Sequence, residues 1–249
     1  MRPIIFHIPH AAKAIPTKYR TDFALTDDDL ELELLHMTDH FTDELFGSCA
    51  LPQDEVIAFS VSLLLVDVER FHNDSEEPMS HQGMGMIYQK THDGKTLRHN
   101  GNSRHKLFQE YYLPHHAKLE NAVSVGLANG TKTLIVDCHS FPSVALQCEL
   151  NQTGNRPEIC IGIDRFHTPP KLANELYQFF KLKGFTVDYD TSFSGSLVPY
   201  TYYKKDARVR SVMIELRRDL YMDEQTGEKL KRFEEIKTYL GEIISDLRD

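Results

Sequence analysis

The sequence lacks any long apolar run. None of its apolar stretches reaches the roughly 18 to 20 residues that a membrane-spanning helix requires. The short run that follows Met1-Arg2-Pro3 is also too brief for a secretory signal peptide. We therefore predict a complete cytoplasmic protein that has no membrane among its partners.

An excess of positive charge is missing as well. Lysine and arginine number 28 against 37 aspartates and glutamates, which gives a formal net charge of -9. The isoelectric point is about 5.8. A chain of this charge has no basic field to attract phosphate groups, so nucleic acid is not an expected partner. Small molecules remain as the predicted ligands.

Cysteine is scarce and shows no metal-binding spacing. There is no Cys-x-x-Cys pair among Cys49, Cys138, Cys148 and Cys160, and three of these lie in apparent strands. We predict reduced, buried thiols. A chain of 249 residues can bury a core without disulfides, so we predict a single domain over residues 1–249, as a monomer or small homo-oligomer.

Strand-like and helix-like segments alternate along the chain. This alternation is typical of an α/β fold, with a mainly parallel sheet and helices on its faces. The predicted strands cover 4–8, 56–60, 63–68, 133–139, 144–149, 158–164, 185–190 and 209–216. Residues 72–102 lack clear periodicity and form either a long functional loop or a set of short hairpin strands.

Two predicted helices bear on function. The first begins at Thr26 with a capping-box pattern, and its apolar row runs from Leu30 to Leu45 at helical spacing. The second begins near Ser103. Pro114 should kink or split it, because proline lacks a backbone donor and clashes with the preceding turn.

Two apparent strands each release a histidine at the carboxyl end. His10 follows the run 4–8, and His139 follows the run 134–138. In α/β sheets of this kind, ligands bind beyond the carboxyl ends of the strands. Neutral imidazole is a common zinc ligand. The pair therefore predicts a metal site at one edge of the sheet.

A hydrolytic zinc site needs a third protein ligand and an open position for water. The first helix offers Asp39 and Asp43. On a helical net, Asp39 lies on the flank of the apolar row, whereas Asp43 lies on the side of His36 and His40. Because a half-buried acid needs a cation, Asp39 is the better candidate. A solvated helix acid is the alternative for either residue.

Glu215 places a carboxylate inside the apolar strand 209–216, where an unpaired charge is costly. It is either the general base that deprotonates a metal-bound water, or one partner of an ion pair with Arg210 or Arg217. The residues around it leave both roles open.

Two more residues are candidates for contact with a substrate. His116 lies on the apolar row of the second helix and His115 lies off it, although a histidine on such a row is more often a hydrogen-bonded core residue. Arg70 follows the predicted strand 63–68 and suits a bidentate grip on a carboxylate. A structural ion pair is the alternative for Arg70.

Several longer motifs stand in a fixed order along the chain. They are Ile8-Pro9-His10, Thr38-Asp39, Val66-Asp67-Val68-Glu69-Arg70, Tyr111-Tyr112-Leu113-Pro114-His115-His116, Asp137-Cys138-His139-Ser140, Glu158-Ile159-Cys160-Ile161-Gly162 and the run from Ile214 to Glu224. Together they resemble the motifs of the N-formylglutamate amidohydrolase family, over nearly the whole length. The run from Ile214 to Glu224 is the most specific of them.

The resemblance implies a three-layer α/β/α sandwich with a mixed, mainly parallel sheet, related to the zinc carboxypeptidases. The roles that it implies are zinc ligands at His10, Asp39 and His139, a catalytic base at Glu215, a catalytic His116, which the motif favours over His115, and substrate binding by Arg70, Ser140 and Arg218.

Three departures from the family pattern bear on specificity. Ala11-Ala12 replace the residues, glycine among them, that follow the first histidine, Met213 replaces a glutamine, and Glu69 replaces an asparagine before Arg70. Glu69 adds negative charge beside the predicted carboxylate clamp. N-formyl-L-glutamate is therefore the default substrate only.

The predicted reaction is zinc-dependent hydrolysis of the linear amide of a small N-acyl amino acid, by default N-formyl-L-glutamate to glutamate and formate in histidine degradation. Glu215 would take the proton of the bound water, and zinc with His116 or Arg70 would hold the oxyanion. One alternative is a carboxypeptidase-like or cell-wall amidase that acts on a larger acylated substrate. Another is a non-catalytic small-molecule binding protein on the same fold.

Overall fold

The structure, a computed structural model, describes residues 3–99, 103–128, 132–152 and 154–248. Its strands are β1 (Ile4–Ile8), β2 (Glu55–Ala58), β3 (Thr133–Phe141), β4 (Ile159–Gly162), β5 (Val187–Tyr189) and β6 (Val209–Arg217). Its α-helices are α1 (Asp27–Met37), α2 (Thr42–Gly47), α3 (Arg104–Leu107), α4 (Leu113–Ala128), α5 (Pro170–Leu182) and α6 (Phe233–Asp246). Short 3-10 helices lie at Thr17–Asp22, Pro78–Gln82 and Arg218–Leu220, and a π-helical turn lies at Phe108–Tyr112.

The strands form one sheet in the order β2-β1-β3-β6-β4-β5. Neighbouring strands run parallel, except that β4 is antiparallel to β6. The sheet is therefore mixed and mainly parallel, as predicted. Parallel strands of this kind are usually covered by helices on both faces.

Helices do cover both faces. One face packs against α2, α5 and α6 in the larger apolar core, to which Phe6, Val136 and Ile214 contribute. The opposite face carries Ile5 and Ile135 and packs against α4. The predicted three-layer α/β/α architecture is confirmed.

The face of the sheet that α4 covers also carries polar side chains. Successive side chains of a strand point to opposite faces, so His7, Asp137, His139 and Glu215 share this face. The register places His7 opposite Asp137 and His139 opposite Glu215. All four are buried. Strand periodicity thus assembles a buried polar group on the three central strands.

The first predicted helix is broken into α1 and α2. Thr26 caps α1 as predicted, since its hydroxyl accepts the backbone N–H of Asp29. The helix ends at Met37, and the chain turns at Phe41 with a φ of 65° before α2 begins. Both helices bury apolar side chains, Leu34 of α1 in one core and Leu45 of α2 in another. The apolar spacing therefore continues across the break.

Two predicted strands are not strands in the structure. Residues 63–68 are buried as an irregular segment in a second apolar cluster, because an apolar run reports burial and not backbone conformation. Residues 144–149 form a turn in which Val144 is exposed and Leu146 donates its N–H to the Glu149 side chain. The other six predicted strands are present.

The second predicted helix is split before Pro114, as expected. The π-helical turn Phe108–Tyr112 separates α3 from α4, and Pro114 is the second residue of α4. A π turn has i to i+5 hydrogen bonds, so the wider turn accommodates a proline that lacks an N–H.

Residues 72–99 contain short pairings rather than a structureless loop. A 3-10 helix lies at Pro78–Gln82, and isolated β-bridges join Met84 to Tyr88 and Lys90 to Thr96. The hairpin alternative is the better description of this part. The rest of the predicted region, residues 100–102, lies outside the described residues.

All four cysteines carry free thiols, with Cys138 and Cys160 buried and the other two partly so. Within the described ranges, no helix combines the length and apolar composition needed to cross a membrane.

Asp54, just before β2, and Arg248, just after α6, form a buried ion pair. Two nitrogens of Arg248 lie 2.8 and 2.6 Å from the two Asp54 oxygens, and Asp54 also accepts the backbone N–H groups of Ile4 and Leu51. Burial alone would raise the pKa of Asp54, but Arg248 and these donors hold it below its usual value. We expect Asp54→Ala to lower the free energy of unfolding by roughly 3 kcal/mol, because it leaves a buried guanidinium unpaired.

Denaturant unfolding at several pH values tests this expectation, with the exposed Asp28→Ala as control. Because the folded pKa is depressed, the contribution of Asp54 is fully present above the unfolded pKa of about 3.9 and is lost as pH falls through the folded pKa. Equal stability of the two variants at pH 7 would contradict the assignment.

Candidate metal centre

The two histidines predicted from the strand ends do meet. β1 and β3 are adjacent and parallel, so their carboxyl ends lie at the same edge of the sheet. His10 lies two residues beyond β1, whereas His139 lies inside β3, which continues to Phe141. The centroids of the two rings are 5.1 Å apart.

Each ring has carboxylates near both of its nitrogens. The Nε2 atom of His10 is 2.9 Å from Asp67 Oδ1, and that of His139 is 3.2 Å from Asp137 Oδ1. The Nδ1 atoms face Asp39 Oδ2, at 3.7 Å from His10 and 3.1 Å from His139. In the tautomer in which these carboxylates accept Nε2–H, each Nδ1 carries a lone pair that a cation near Asp39 could bind.

Asp39 is buried, and it lies in the break between α1 and α2. Its backbone N–H donates to the carbonyl of His10 at 3.0 Å, which ties the break to the end of β1. Asp43 lies in α2 and is exposed. The predicted difference in burial between the two acids is therefore confirmed. The two acids do not share one helix, however, because Asp39 lies in the break and Asp43 lies in α2.

Ser140 and Arg218 lie beside Asp39. Arg218 Nη2 donates to Asp39 Oδ1 at 2.9 Å, and its Nε is 3.3 Å from Ser140 Oγ. Arg218 also donates to the carbonyl of His36. Both side chains are buried. Arg218 thus holds Asp39 and closes the last turn of α1, and the substrate-binding role of either residue stays a prediction.

Glu69 reaches the same histidines from the other side. Its Oε2 is 3.2 Å from His139 Nε2, and ligand atoms of His10, Glu69 and His139 all lie within 4.8 Å of one another. The sequence did not predict Glu69 as a ligand. The only sign of Glu69 in the sequence was its negative charge next to Arg70. That sign could not place Glu69 near the histidines, because the position of its segment depends on tertiary packing.

Glu215 stands opposite His139 in the sheet register. It is 4% exposed, and its Oε2 atom has no hydrogen-bond partner. Burial raises the pKa of Glu215 to about 8; the charge of His139 opposes this, and Asp39 and Glu69 add to it. A carboxyl with a pKa near neutrality and a free oxygen is suited to accept and return a proton.

The structure disfavours the ion-pair alternative for Glu215. Arg217 Nε donates to Asp219 at 2.8 Å. Arg210 lies five residues before Glu215 in the same strand, so the alternation of side chains places it on the opposite face.

His116 and His115 occupy different environments. His116 is close to the carbonyl of Val68, with Nε2 at 2.8 Å, and packs on Tyr112. Burial lowers the pKa of His116 to about 4. A neutral ring would act on a substrate through a hydrogen bond rather than through charge, and the catalytic role of His116 stays a prediction. His115 is the one that contacts the sheet, with Nε2 at 2.8 Å from His7 Nε2.

Arg70 is half-buried beside the same carboxylates. Its Nε is 3.2 Å from Asp67 Oδ2, an oxygen that also accepts the Tyr88 hydroxyl at 2.6 Å. Its Nη1 is 3.9 Å from Glu77 Oε1, and 29% of the side chain is exposed. The guanidinium is therefore oriented from one side and open on another.

The buried carboxylates of this site require positive charge nearby. Burial would raise the pKa values of Asp39 and Asp137, but the neighbouring histidines hold both well below the usual range. Burial would lower the pKa of His10, yet Asp67 and Asp39 raise it to about 10. The acids thus call for positive charge on the histidines, and a divalent cation supplies the same charge.

Comparison with solved structures identifies the fold that the chain shares. The structure is similar to that of N-formylglutamate amidohydrolase from Ralstonia eutropha JMP134, with a TM-score of 0.84, 20% sequence identity, and coverage of 99% of this chain and 93% of that one. It is also similar to a gene product of Agrobacterium tumefaciens, with a TM-score of 0.64, 18% identity, and coverage of 98% and 89%. Identities this low show the shared fold.

The family follows from the sequence match. The model of the family described as N-formylglutamate amidohydrolase matches residues 2–222. The chain therefore belongs to the N-formylglutamate amidohydrolase family. A comparison with curated proteins finds no match.

Proposed function

We propose that this protein is a zinc-dependent hydrolase that cleaves the linear amide of a small N-acyl amino acid, with N-formyl-L-glutamate as the first substrate to test. One observation carries the proposal: the Nδ1 atoms of His10 and His139 converge on Asp39 Oδ2, next to the free carboxyl oxygen of Glu215. Membership of the family supports the reaction class. Such a reaction suits a cytoplasmic step of histidine degradation.

The donor set fits a divalent metal. His10, Asp39 and His139 would hold it and are called the first site below. Two imidazoles and a carboxylate match the ligands of hydrolytic zinc sites. We favour Asp39 over Glu69 as the third ligand because both Nε2 atoms already have carboxylate partners and both Nδ1 atoms face Asp39. When bound there, zinc would lower the pKa of its water and polarise the acyl carbonyl.

Three side chains have the remaining roles in the proposed reaction. Glu215 takes the proton of the attacking water, and its raised pKa allows it to return that proton to the leaving amine. Arg70 presents a partly exposed guanidinium, held by Asp67, to a carboxylate of the substrate. His116 lines the site as a neutral ring whose Nδ1 can accept a hydrogen bond from the substrate.

Metal analysis and hydrolysis assays on the purified protein test the proposal. We expect bound zinc, and release of formate from N-formyl-L-glutamate that stops on chelation and returns with zinc. A metal-free protein without hydrolytic activity would favour the binding-protein alternative. Faster cleavage of acylated peptides than of formyl amino acids would favour the carboxypeptidase-like alternative.

Arg70→Lys tests the carboxylate clamp. We expect kcat/KM for N-formyl-L-glutamate to fall roughly tenfold or more, because a planar fork is replaced by a point charge and one charge-assisted hydrogen bond is lost. The matched substrate is an N-formyl amino acid amide without a carboxylate, for which the loss should be small. Equal losses on both substrates would show that Arg70 has a structural role only.

A further inference from the structure

Asp137 is a buried carboxylate next to the proposed ligand His139, and three groups hold it in place. Its Oδ1 atom is 3.2 Å from Nε2 of His139 and 2.7 Å from Nδ1 of His7. Its Oδ2 atom accepts the backbone N–H of Leu197 at 2.9 Å. Both oxygens of Asp137 are therefore fixed by contacts with other parts of the chain.

Glu69 offers a second carboxylate to the same nitrogen of His139. Its Oε2 atom is also 3.2 Å from Nε2. The Glu69 side chain is 19% exposed and belongs to an irregular segment, whereas the Asp137 side chain is 2% exposed and lies in the middle of β3. Because Nε2 carries one proton, the carboxylate that is held rigidly sets the orientation of the ring. Asp137 is therefore the acceptor that orients His139.

The contacts of His7 determine which of its nitrogens carries a proton. Oxygens of Asp137 and Glu69 lie 2.7 and 3.6 Å from Nδ1, so this nitrogen is a donor. Nε2 of His7 is 2.8 Å from Nε2 of His115. Burial lowers the pKa of His115 to about 2, so that ring is neutral and keeps one N–H. A neutral His7 has a lone pair at Nε2, and we therefore assign the proton of this contact to His115.

These assignments give one chain of hydrogen bonds from α4 to the proposed metal ligand. His115 on α4 donates to His7 on β1, and His7 and His139 both donate to Asp137. In this arrangement Nδ1 of His139 carries the lone pair, and it faces Asp39 Oδ2 at 3.1 Å. All four members of the chain are buried, so bulk water does not compete for their contacts.

His7 is also an unusual residue for its position. It stands in β1, where its four neighbours in the strand are apolar and buried. Packing alone would favour an apolar side chain there, because a buried polar ring is costly unless it is hydrogen-bonded. Both ring nitrogens of His7 do have partners, one at Asp137 and one at His115. The position thus selects a side chain that donates to Asp137.

We infer that His7 is a positioning residue for the metal. It acts through Asp137, which it holds against Nε2 of His139, so that Nδ1 of His139 stays directed at the first site. The inference rests on the proposed function, because it takes His139 as a ligand. Removal of such a contact behind a ligand typically weakens metal binding by about 10- to 100-fold.

Two substitutions of His7 separate positioning from packing. Zinc affinity is measured by competition with a chelating dye. His7→Leu fills the space but leaves Asp137 without this donor, so we expect zinc binding to weaken roughly 10- to 100-fold. His7→Asn places an amide N–H near the position of Nδ1, so we expect an affinity within about threefold of the wild type. A residue needed only for packing would give the opposite order, with leucine as the better replacement.

The visible absorption of the cobalt-substituted protein is a second readout, since it reports the arrangement of the ligands independently of activity. We expect the bands to shift in His7→Leu and to match the wild type in His7→Asn. His167→Leu is the matched control, because His167 is equally buried but contacts the carbonyl of Val209 and the backbone of Lys204. It should bind zinc as the wild type does. Circular dichroism checks that each variant is folded.

The outcomes separate this inference from the proposed function. Wild-type zinc affinity in a folded His7→Leu, or equal losses in the leucine and asparagine variants, would overturn the inference and leave the proposed function standing. If His7→Leu does not fold, His115→Leu takes its place, and loss of the hydrogen bond to His7 should weaken zinc binding roughly two- to tenfold. An unchanged affinity in that variant would also overturn the inference. A wild-type protein that binds no zinc would defeat both.

Discussion

Glu215→Gln should reduce the rate of amide hydrolysis by about 10²- to 10⁴-fold, the usual contribution of a general base. The amide keeps the shape of the side chain but cannot accept the proton of water. Because Glu215 is not one of the proposed ligands, the metal content and KM should change little. Steady-state kinetics and metal analysis on the same preparation measure the three quantities together.

A matched control separates the loss of a base from the loss of a buried acid. Glu33 is equally buried and accepts hydrogen bonds from His92, away from the first site. Glu33→Gln should leave the rate within a small factor of the wild type. If Glu215→Gln hydrolyses its substrate at the wild-type rate, Glu215 is not the base. If it fails to fold, a structural role is favoured.

Asp39→Asn should weaken metal binding at the first site by more than about 100-fold, since even changes to groups behind a ligand cost 10- to 100-fold. Activity should fall with occupancy and recover only in part at high zinc. The measurement is a competition titration against a chelating dye of known affinity. Asp43→Asn is the control, because Asp43 is exposed in α2 and should bind metal as the wild type does.

The same titration decides between the two possible third ligands. If Asp39→Asn keeps its affinity for the tightest ion while Glu69→Gln loses it, the group His10, Glu69 and His139 is the first site. If Asp43→Asn alone loses the metal, the choice between the two acids was wrong.

The sequence predicted the site where strand geometry determines it. His10 and His139 were predicted to meet because parallel strands end at one edge, and β1 and β3 are neighbours in the sheet. Glu215 was singled out because a carboxylate is anomalous in an apolar strand, and the structure places it opposite His139. Both inferences needed only the alternation of side chains between the two faces of a strand and the direction of each strand.

The sequence correctly predicted that Asp39 is buried, but it placed Asp39 in the wrong secondary-structure element. It assumed one helix to Leu45, whereas α1 ends at Met37. Apolar spacing cannot reveal such a break, because it depends on Arg218, which is distant in sequence and occupies carbonyls at the end of α1.

Two side chains near the predicted histidines were missed for a related reason. His7 stands inside an apolar strand that gives no sign of what faces it, and Glu69 belongs to an irregular segment. The position of His7 depends on contacts with residues far away in the chain, among them Asp137 and His115. A pattern within one segment carries no information on such contacts.

The π-helical turn at Phe108–Tyr112 has a consequence for insertions and deletions in this part of the chain. Such a turn corresponds to one residue inserted into an α-helix. Removing one residue would restore regular helix and rotate α3 against α4 by about 100°. Either His115 would then leave His7, or the fully buried Leu107 would leave the core. The length of this turn is therefore under tighter constraint than its composition, and a relative one residue shorter here would need another side chain to reach the sheet.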